Sequence, residues 1–357
     1  MSDHPNPVRL VSGTPMNPIR AAIVGAGLMG RWHAHTAQRA GGHVVGIVDI
    51  DESAAVRLSK RFRDAAPFTT IEQMLVRSKP AVVHICSPMP THYSMAWAAI
   101  DAGCHALVEK PMTSTAVEAE RLLGFAASRG VYLNPVHQFV FQDGVRRAEQ
   151  LLPRIGRLVD ISAVIASAGG VGLSTAALDR LLIDVLPHPL SLVQFFLPGR
   201  IGQVSWTRVS PAFGELRLLG EIDGVSLSIF ISFNARPAVN VLELKGTNGT
   251  IFINLFHGYS FFQAGEVSRA RKLINPFLRS FKECTSASGN LGRRFLKHEQ
   301  AYPGLRRLVQ LFYRAVENRT PPPIERGDIA ELARARDELM SLGATVLQRA
   351  STESATL

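Results

Sequence analysis

A glutamate, a lysine and a proline close an apolar run. Ala106, Leu107 and Val108 suit a buried strand, yet Glu109, Lys110 and Pro111 follow at once. Pro111 has a fixed φ and no N–H to give to a sheet ladder, so the strand must stop there. Burying an ammonium without a partner is costly. A lysine at a strand's carboxyl end makes sense where a ligand oxygen waits to be polarised. The ordinary alternative is a solvated Glu–Lys ion pair.

Three glycines supply the companion feature. "GAGLMG" sets Gly25, Gly27 and Gly30 between an apolar run and a helical stretch. In that pattern the first glycine permits a tight turn. The second admits a pyrophosphate to the backbone, and the third lets helix and strand pack closely. The helix start offers amide donors and a positive dipole end, and Leu28 and Met29 belong to that contact. About 20 residues on, "VVGIVD" ends in Asp49, placed for the ribose hydroxyls. Its charge favours NAD and repels the 2′-phosphate of NADP; Arg57 and Arg61, downstream, soften that preference. "ICSPMPTH" adds Ser87 and Pro88 at another strand end, on the nicotinamide side. His92 lies at a helix start and is assigned to cofactor contact rather than catalysis.

These groups need a scaffold that brings strand ends together. From residue 19 to 135 short apolar strands alternate with helical segments, including "DESAAVRLSKRF", "THYSMAWAAIDAG" and "STAVEAERLLGFAASRG". Strands that are apolar throughout imply a parallel sheet covered on both faces. The expectation is an α/β chain whose first domain is a doubly wound Rossmann sheet. Residues 136–325 change rhythm. A helix is predicted over 139–152, a strand after Gly156, a helical stretch around 186–197, then consecutive strands separated by turns such as "TNGT". This predicts an α+β domain with a large open mixed or antiparallel sheet. Residues 1–18 read as a flexible tail, and 326–357 as a closing helix and tail.

The composition supports a protein with ample core: 357 residues, 46% hydrophobic. No run approaches the ~18 apolar residues of a membrane span. Cys86, Cys104 and Cys284 have no metal-ligand spacing, so no metal site is expected, and a reduced, cytoplasmic protein fits. The net charge of +10 is concentrated. Between Arg269 and Arg307 ten Lys or Arg face two acids, a net +8. This basic insert, about 265–307, favours an anionic partner: a phosphorylated or nucleotide-linked substrate, or peripheral contact with an anionic membrane. A solvated lid is the plain alternative. No nucleic-acid-binding motif accompanies it.

"AAIVGAGLMGRWHAH", "GIVDID", "ICSPMPTHY" and "VEKPMTSTAVEAERLL" together resemble, in order, the glucose–fructose oxidoreductase, inositol dehydrogenase and rhizopine-catabolism family, Gfo/Idh/MocA. The resemblance covers residues 20–135 and returns in "RIGRLVDISAV" and "TPPPIERGDIAELARARDELMSLG". It implies an NAD-dependent oxidoreductase acting on a sugar, cyclitol or sugar derivative, often a homodimer or homotetramer. It implies that Lys110 touches both nicotinamide ribose and substrate. It also implies an Asp-x-x-x-His pair, here Asp184 and His188. Four residues apart on one helical turn, these two share a face, so the carboxylate can orient the imidazole that takes the hydroxyl proton. His137 and Gln138 are candidate substrate contacts. The sequence departs from the family in Pro187 and Pro189, which flank His188, in "RLLI" before Asp184, and in "FVFQD" after "NPVHQ". Two other readings stay open: an NAD-binding regulator without catalysis, and a redox-neutral enzyme that recycles its NAD.

Overall fold

Strands covered on both faces need no polar side, and the first sheet is built from such strands. β1 (Arg20–Val24), β2 (His43–Val48), β3 (Ala66–Phe68), β4 (Val82–Ile85), β5 (His105–Val108) and β6 (Leu133–Pro135) are all parallel, in the order β3-β2-β1-β4-β5-β6. Helices α1 (Leu28–Arg39), α2 (Glu52–Ser59), α3 (Ile71–Ser78), α4 (His92–Asp101) and α5 (Ala116–Ser128) connect them. Side chains that satisfy orphan amides start several of these helices: Asp51 for α2, Thr70 for α3 and a Thr115–Glu118 capping box for α5. β1 and β4 are neighbours whose chains leave in opposite directions. Their carboxyl ends therefore frame the crevice in which such sheets bind ligands. The structure, a computed structural model, describes residues 18–353 apart from 211, 266–268, 298 and 300. The tail read over residues 1–18 thus lies, Pro18 aside, outside the described residues.

The second half contains α6 (Asp143–Leu151), β7 (Leu158–Ala166), α7 (Thr175–Val185), α8 (Pro187–Phe196), β8 (Ser205–Val209), β9 (Glu215–Ile222), β10 (Val225–Ser232), β11 (Val239–Gly246), β12 (Gly249–Asn254) and β13 (Tyr259–Ala264). Its seven-stranded sheet runs β13-β12-β11-β7-β10-β9-β8. β7 pairs parallel with β10, and the other neighbours pair antiparallel, so the sheet is mixed, as expected. Along β10 the side chains alternate: Leu227, Ile229 and Ile231 are buried, while Ser226 is exposed. The buried face joins Leu190, Leu192 and Val193 of α8 in one apolar core.

Three further helices close the chain. The basic stretch is a single long helix, α9 (Arg269–Leu296), with Pro276 inside it. α10 (Leu305–Asn318) starts within residues read as part of the basic insert, and the sequence reading did not anticipate it. Its Leu305, Leu308, Val309 and Phe312 recur at i, i+3, i+4 and i+7 and are buried. α11 (Arg326–Glu353) lies across α5 and α8 and so touches both halves. Asp337 on α11 accepts from the Ala116 amide at 2.5 Å. The buried Arg336 donates to the carbonyls of Thr113 and Ser114.

Candidate active site

The ends of β4 and β5 meet at one crevice. Met29, Cys86, Ser87, Met89, His92, Glu109, Lys110, Gln138, Asp184, His188 and Tyr302 line a cavity of about 370 Å³. That volume lies within the ordinary range for small-molecule sites. β5 carries Glu109 and Lys110 to its rim. The Lys110 Nζ crosses to the second domain and donates to the Asp184 carbonyl at 2.8 Å. That oxygen sits in the last turn of α7, where the helix dipole favours a cation. Burial lowers the pKa of the Lys110 ammonium, and the charges of Glu109 and Asp184 oppose that drop. Burial alone would raise the Glu109 carboxyl. The hydrogen bond and charge of His33, the charge of Lys110 and the Lys110 amide together hold it below its ordinary value.

His188 stacks on Phe139, with ring centres 4.2 Å apart and planes 17° from parallel. Its Nδ1 is sealed from solvent and has no hydrogen-bond partner among the described residues. Burial, with the charges of Lys110 and His137, pushes its pKa well below 6.5. The imidazole is therefore neutral at pH 7. Asp184 and His188 both reach the crevice, but no hydrogen bond joins them among the described residues. α7 ends at Val185 and α8 begins at Pro187, with Leu186 between them still in the αR conformation, so the backbone keeps a helical path from Asp184 to His188. Burial raises the Asp184 carboxyl, against the pull of Lys110 and His92.

Gln138 is buried at the crevice with its Oε1 unpartnered among the described residues. His137 lines the adjoining recess with Pro111 and Pro187 instead of the crevice itself. His92 ties two strand ends together: Nδ1 lies 2.8 Å from the Pro111 carbonyl and Nε2 2.8 Å from that of Ser87. Pro88 starts the short turn that follows β4, and Thr91 donates to the Ser87 hydroxyl at 2.7 Å.

A buried polar chain behind the crevice was not read from the sequence. Tyr313 Oη lies 2.7 Å from His84 Nε2, His84 Nδ1 lies 2.9 Å from His33 Nδ1, and His33 Nε2 lies 3.1 Å from Glu109 Oε1. One set of tautomers satisfies every link. Tyr313 donates to His84, His84 donates to His33, and His33 donates to the carboxylate. The chain fixes Glu109 from α10 inward. Its one sequence signal was His84, a polar residue inside the apolar strand β4. Tyr302, Cys86 and Met89 were also missed as crevice residues.

The glycine turn fits a dinucleotide. Gly25 has φ +97°, and a Cβ there would stand 2.7 Å from the Cys86 carbonyl oxygen. A Cβ on Gly30 would collide with the Gly25 carbonyl oxygen, whereas one on Gly27 would meet nothing within 4 Å. Gly27 thus leaves open the approach that a pyrophosphate requires. Leu28 is exposed at the start of α1. Asp49 is locked by the amides of Ala26 (2.6 Å) and Asp51 (3.0 Å), and it lines a cavity of about 350 Å³ with Gly27, Arg31, Arg57 and Arg61.

The buried histidines make stability depend on pH. Burial holds His84 and His188 well below 6.5, and His137 down to about 4. Above pH 6.5 these rings are neutral both folded and unfolded. Below it the unfolded chain takes up protons that the folded chain refuses, so stability falls as pH drops. His137 alone accounts for roughly 2 kcal/mol of loss by pH 5. The urea midpoint should accordingly fall between pH 7 and pH 5; an unchanged or higher midpoint would contradict the buried neutral rings.

The strand order, glycine turn and open second sheet define a two-domain, dinucleotide-binding Rossmann protein. Residues 19–137 match the Gfo/Idh/MocA oxidoreductase family, described by its NAD-binding Rossmann fold. It is 30% identical over 160 residues to UDP-N-acetylglucosamine 3-dehydrogenase of Acidithiobacillus ferrooxidans, covering 41% of this chain and 50% of that enzyme. It is 33% identical over 124 residues to D-glucoside 3-dehydrogenase of Escherichia coli, covering 34% and 35%. The matches thus span half or less of the length of these two relatives. A dehydrogenase from Chromobacterium violaceum superposes with a TM-score of 0.74 at 16% identity, over 95% of this chain and 99% of that one, which shows the shared fold. No helix among the described residues is long and apolar enough to cross a membrane.

Proposed function

We propose that the chain is an NAD-dependent oxidoreductase acting on a hydroxyl- or keto-bearing carbon of a sugar, a cyclitol, or a nucleotide- or lipid-linked sugar derivative. One observation carries the reading: the Lys110 ammonium and the His188 imidazole line the same crevice, at the strand ends beside the glycine turn. The named activities of the two sequence relatives support the substrate class. Gly25, Gly27, Leu28, Met29 and Gly30 would hold the pyrophosphate, and Asp49 the adenosine ribose. Ser87, Pro88, His92, Glu109 and Lys110 would border the nicotinamide. When bound, that ring supplies the hydride acceptor or donor. Lys110 polarises the substrate oxygen. His188 accepts the hydroxyl proton at a ring nitrogen during oxidation and returns it during reduction. Gln138 offers an unpartnered carbonyl to a substrate hydroxyl. Phe139 holds the imidazole plane.

The fixed carboxylate of Asp49 favours NAD over NADP, with NADH bound roughly tenfold or more tighter than NADPH. Titration of both by fluorescence tests this; equal affinities would reverse the assignment. Activity is tested by incubating the protein with NAD and a panel of sugars, cyclitols and nucleotide sugars and following reduced nicotinamide. Tight NAD binding with no turnover of any of them would favour a non-catalytic regulator. We also assign a homo-oligomer, supported by Leu219, Phe230 and Val164 on the outward face of the second sheet. A monomer in sedimentation velocity would refute it.

A further inference from the structure

α9 is amphipathic the wrong way round for a helix docked on its own domain. Its polar side faces the protein. Arg279 stacks on the Phe252 ring at 4.3 Å, Tyr259 donates to Glu283 at 3.0 Å, and Asn290 donates to the His257 carbonyl at 2.7 Å. Its apolar side faces outward. Leu273, Phe277, Phe281, Leu291 and Phe295 are exposed by 79%, 77%, 68%, 69% and 78%. At 100° per residue these five positions fall within about 80° of one another, so they form one stripe along a helix roughly 42 Å long. The three phenylalanines alone present on the order of 400 Å² of apolar surface. Patches of that size on a folded protein mark an interaction face.

The net charge of the segment selects the occupant. Lys282 and Arg293 are exposed on α9, and the segment from Arg269 to Arg307 carries ten cations against two acids. Two copies of a +8 segment laid side by side would repel each other. An anionic lipid surface complements both features at once. Apolar side chains enter the headgroup–acyl boundary while flanking Lys and Arg stay among the phosphates. We propose that α9 is an in-plane membrane anchor that seats the second domain on anionic lipid. This goes beyond the oxidoreductase reading and does not depend on it.

The test is co-sedimentation of the full chain with vesicles of phosphatidylcholine alone or mixed with phosphatidylglycerol. The chain should pellet with the phosphatidylglycerol vesicles at low salt, stay in solution with phosphatidylcholine alone, and be released by high salt. The variant F277S/F281S/F295S should bind those vesicles at least about tenfold more weakly while retaining NADH binding, which reports its fold. Failure of the unaltered chain to pellet at low salt overturns the proposal, as does equal pelleting of the triple variant or equal binding to neutral vesicles. A dimer that the triple variant dissociates, with no vesicle binding by either chain, would assign the stripe to a contact between copies and overturn it too. NADH binding in the same samples reports the dinucleotide site separately.

Discussion

Lys110→Met is expected to lower kcat/KM by about 10²- to 10⁴-fold while leaving NADH affinity within a few-fold. Methionine keeps most of the lysine's length and apolar stem and removes the ammonium, so packing at the rim changes little. What disappears is the positive charge facing the reacting oxygen. It also leaves the Asp184 carbonyl without its 2.8 Å donor, at a cost of about 1 kcal/mol that belongs to stability and not to turnover. A thermal melt separates the two effects. If the variant turns over at near the original rate, Lys110 is a structural tie and the proposed chemistry fails.

His188→Asn should produce a loss of similar size, about 10²- to 10⁴-fold in kcat, because no other neutral base borders the reacting oxygen in this scheme. On the proposed mechanism the unaltered chain should also show a flat pH–rate profile through neutrality. The ring's pKa lies well below 6.5, so protonation switches off the base only in acid. In His188→Asn that acid limb should vanish along with most of the rate. A limb that survives in the variant would mean that another group takes the proton. The variant is not expected to unfold, because asparagine fits the first turn of α8, although it loses the stack on Phe139.

What could be read from the sequence was what the chain keeps local. The glycine turn, Asp49 and the Glu109–Lys110–Pro111 strand end each depend on neighbours a few residues away, in a pattern tied to one backbone geometry. The run of consecutive strands in the second sheet also followed from turn spacing, which left antiparallel and mixed pairing open. Long-range partners left little trace. His33 meets Glu109 across 76 positions, and Tyr313 meets His84 across 229. No local pattern encodes a contact at that separation. α10 was hidden for another reason. Arg306, Arg307 and Arg314 sit among its buried positions, so its helical periodicity was absorbed into the charge run. For Asp184 and His188 the spacing suggested one helical turn, and the backbone keeps a helical path through Leu186, but no hydrogen bond joins the two side chains among the described residues.

The bond from Lys110 Nζ to the Asp184 carbonyl bears on how the crevice would discriminate along a reaction coordinate. The ammonium already has a neutral oxygen of its own in the Asp184 carbonyl. A substrate carbonyl or carbinol that displaces it trades one neutral acceptor for another, so the exchange is nearly thermoneutral and adds little to ground-state affinity. As negative charge builds on the substrate oxygen, the incoming acceptor becomes the stronger of the two. The preference then appears mainly at the top of the barrier, which raises turnover more than it tightens substrate binding.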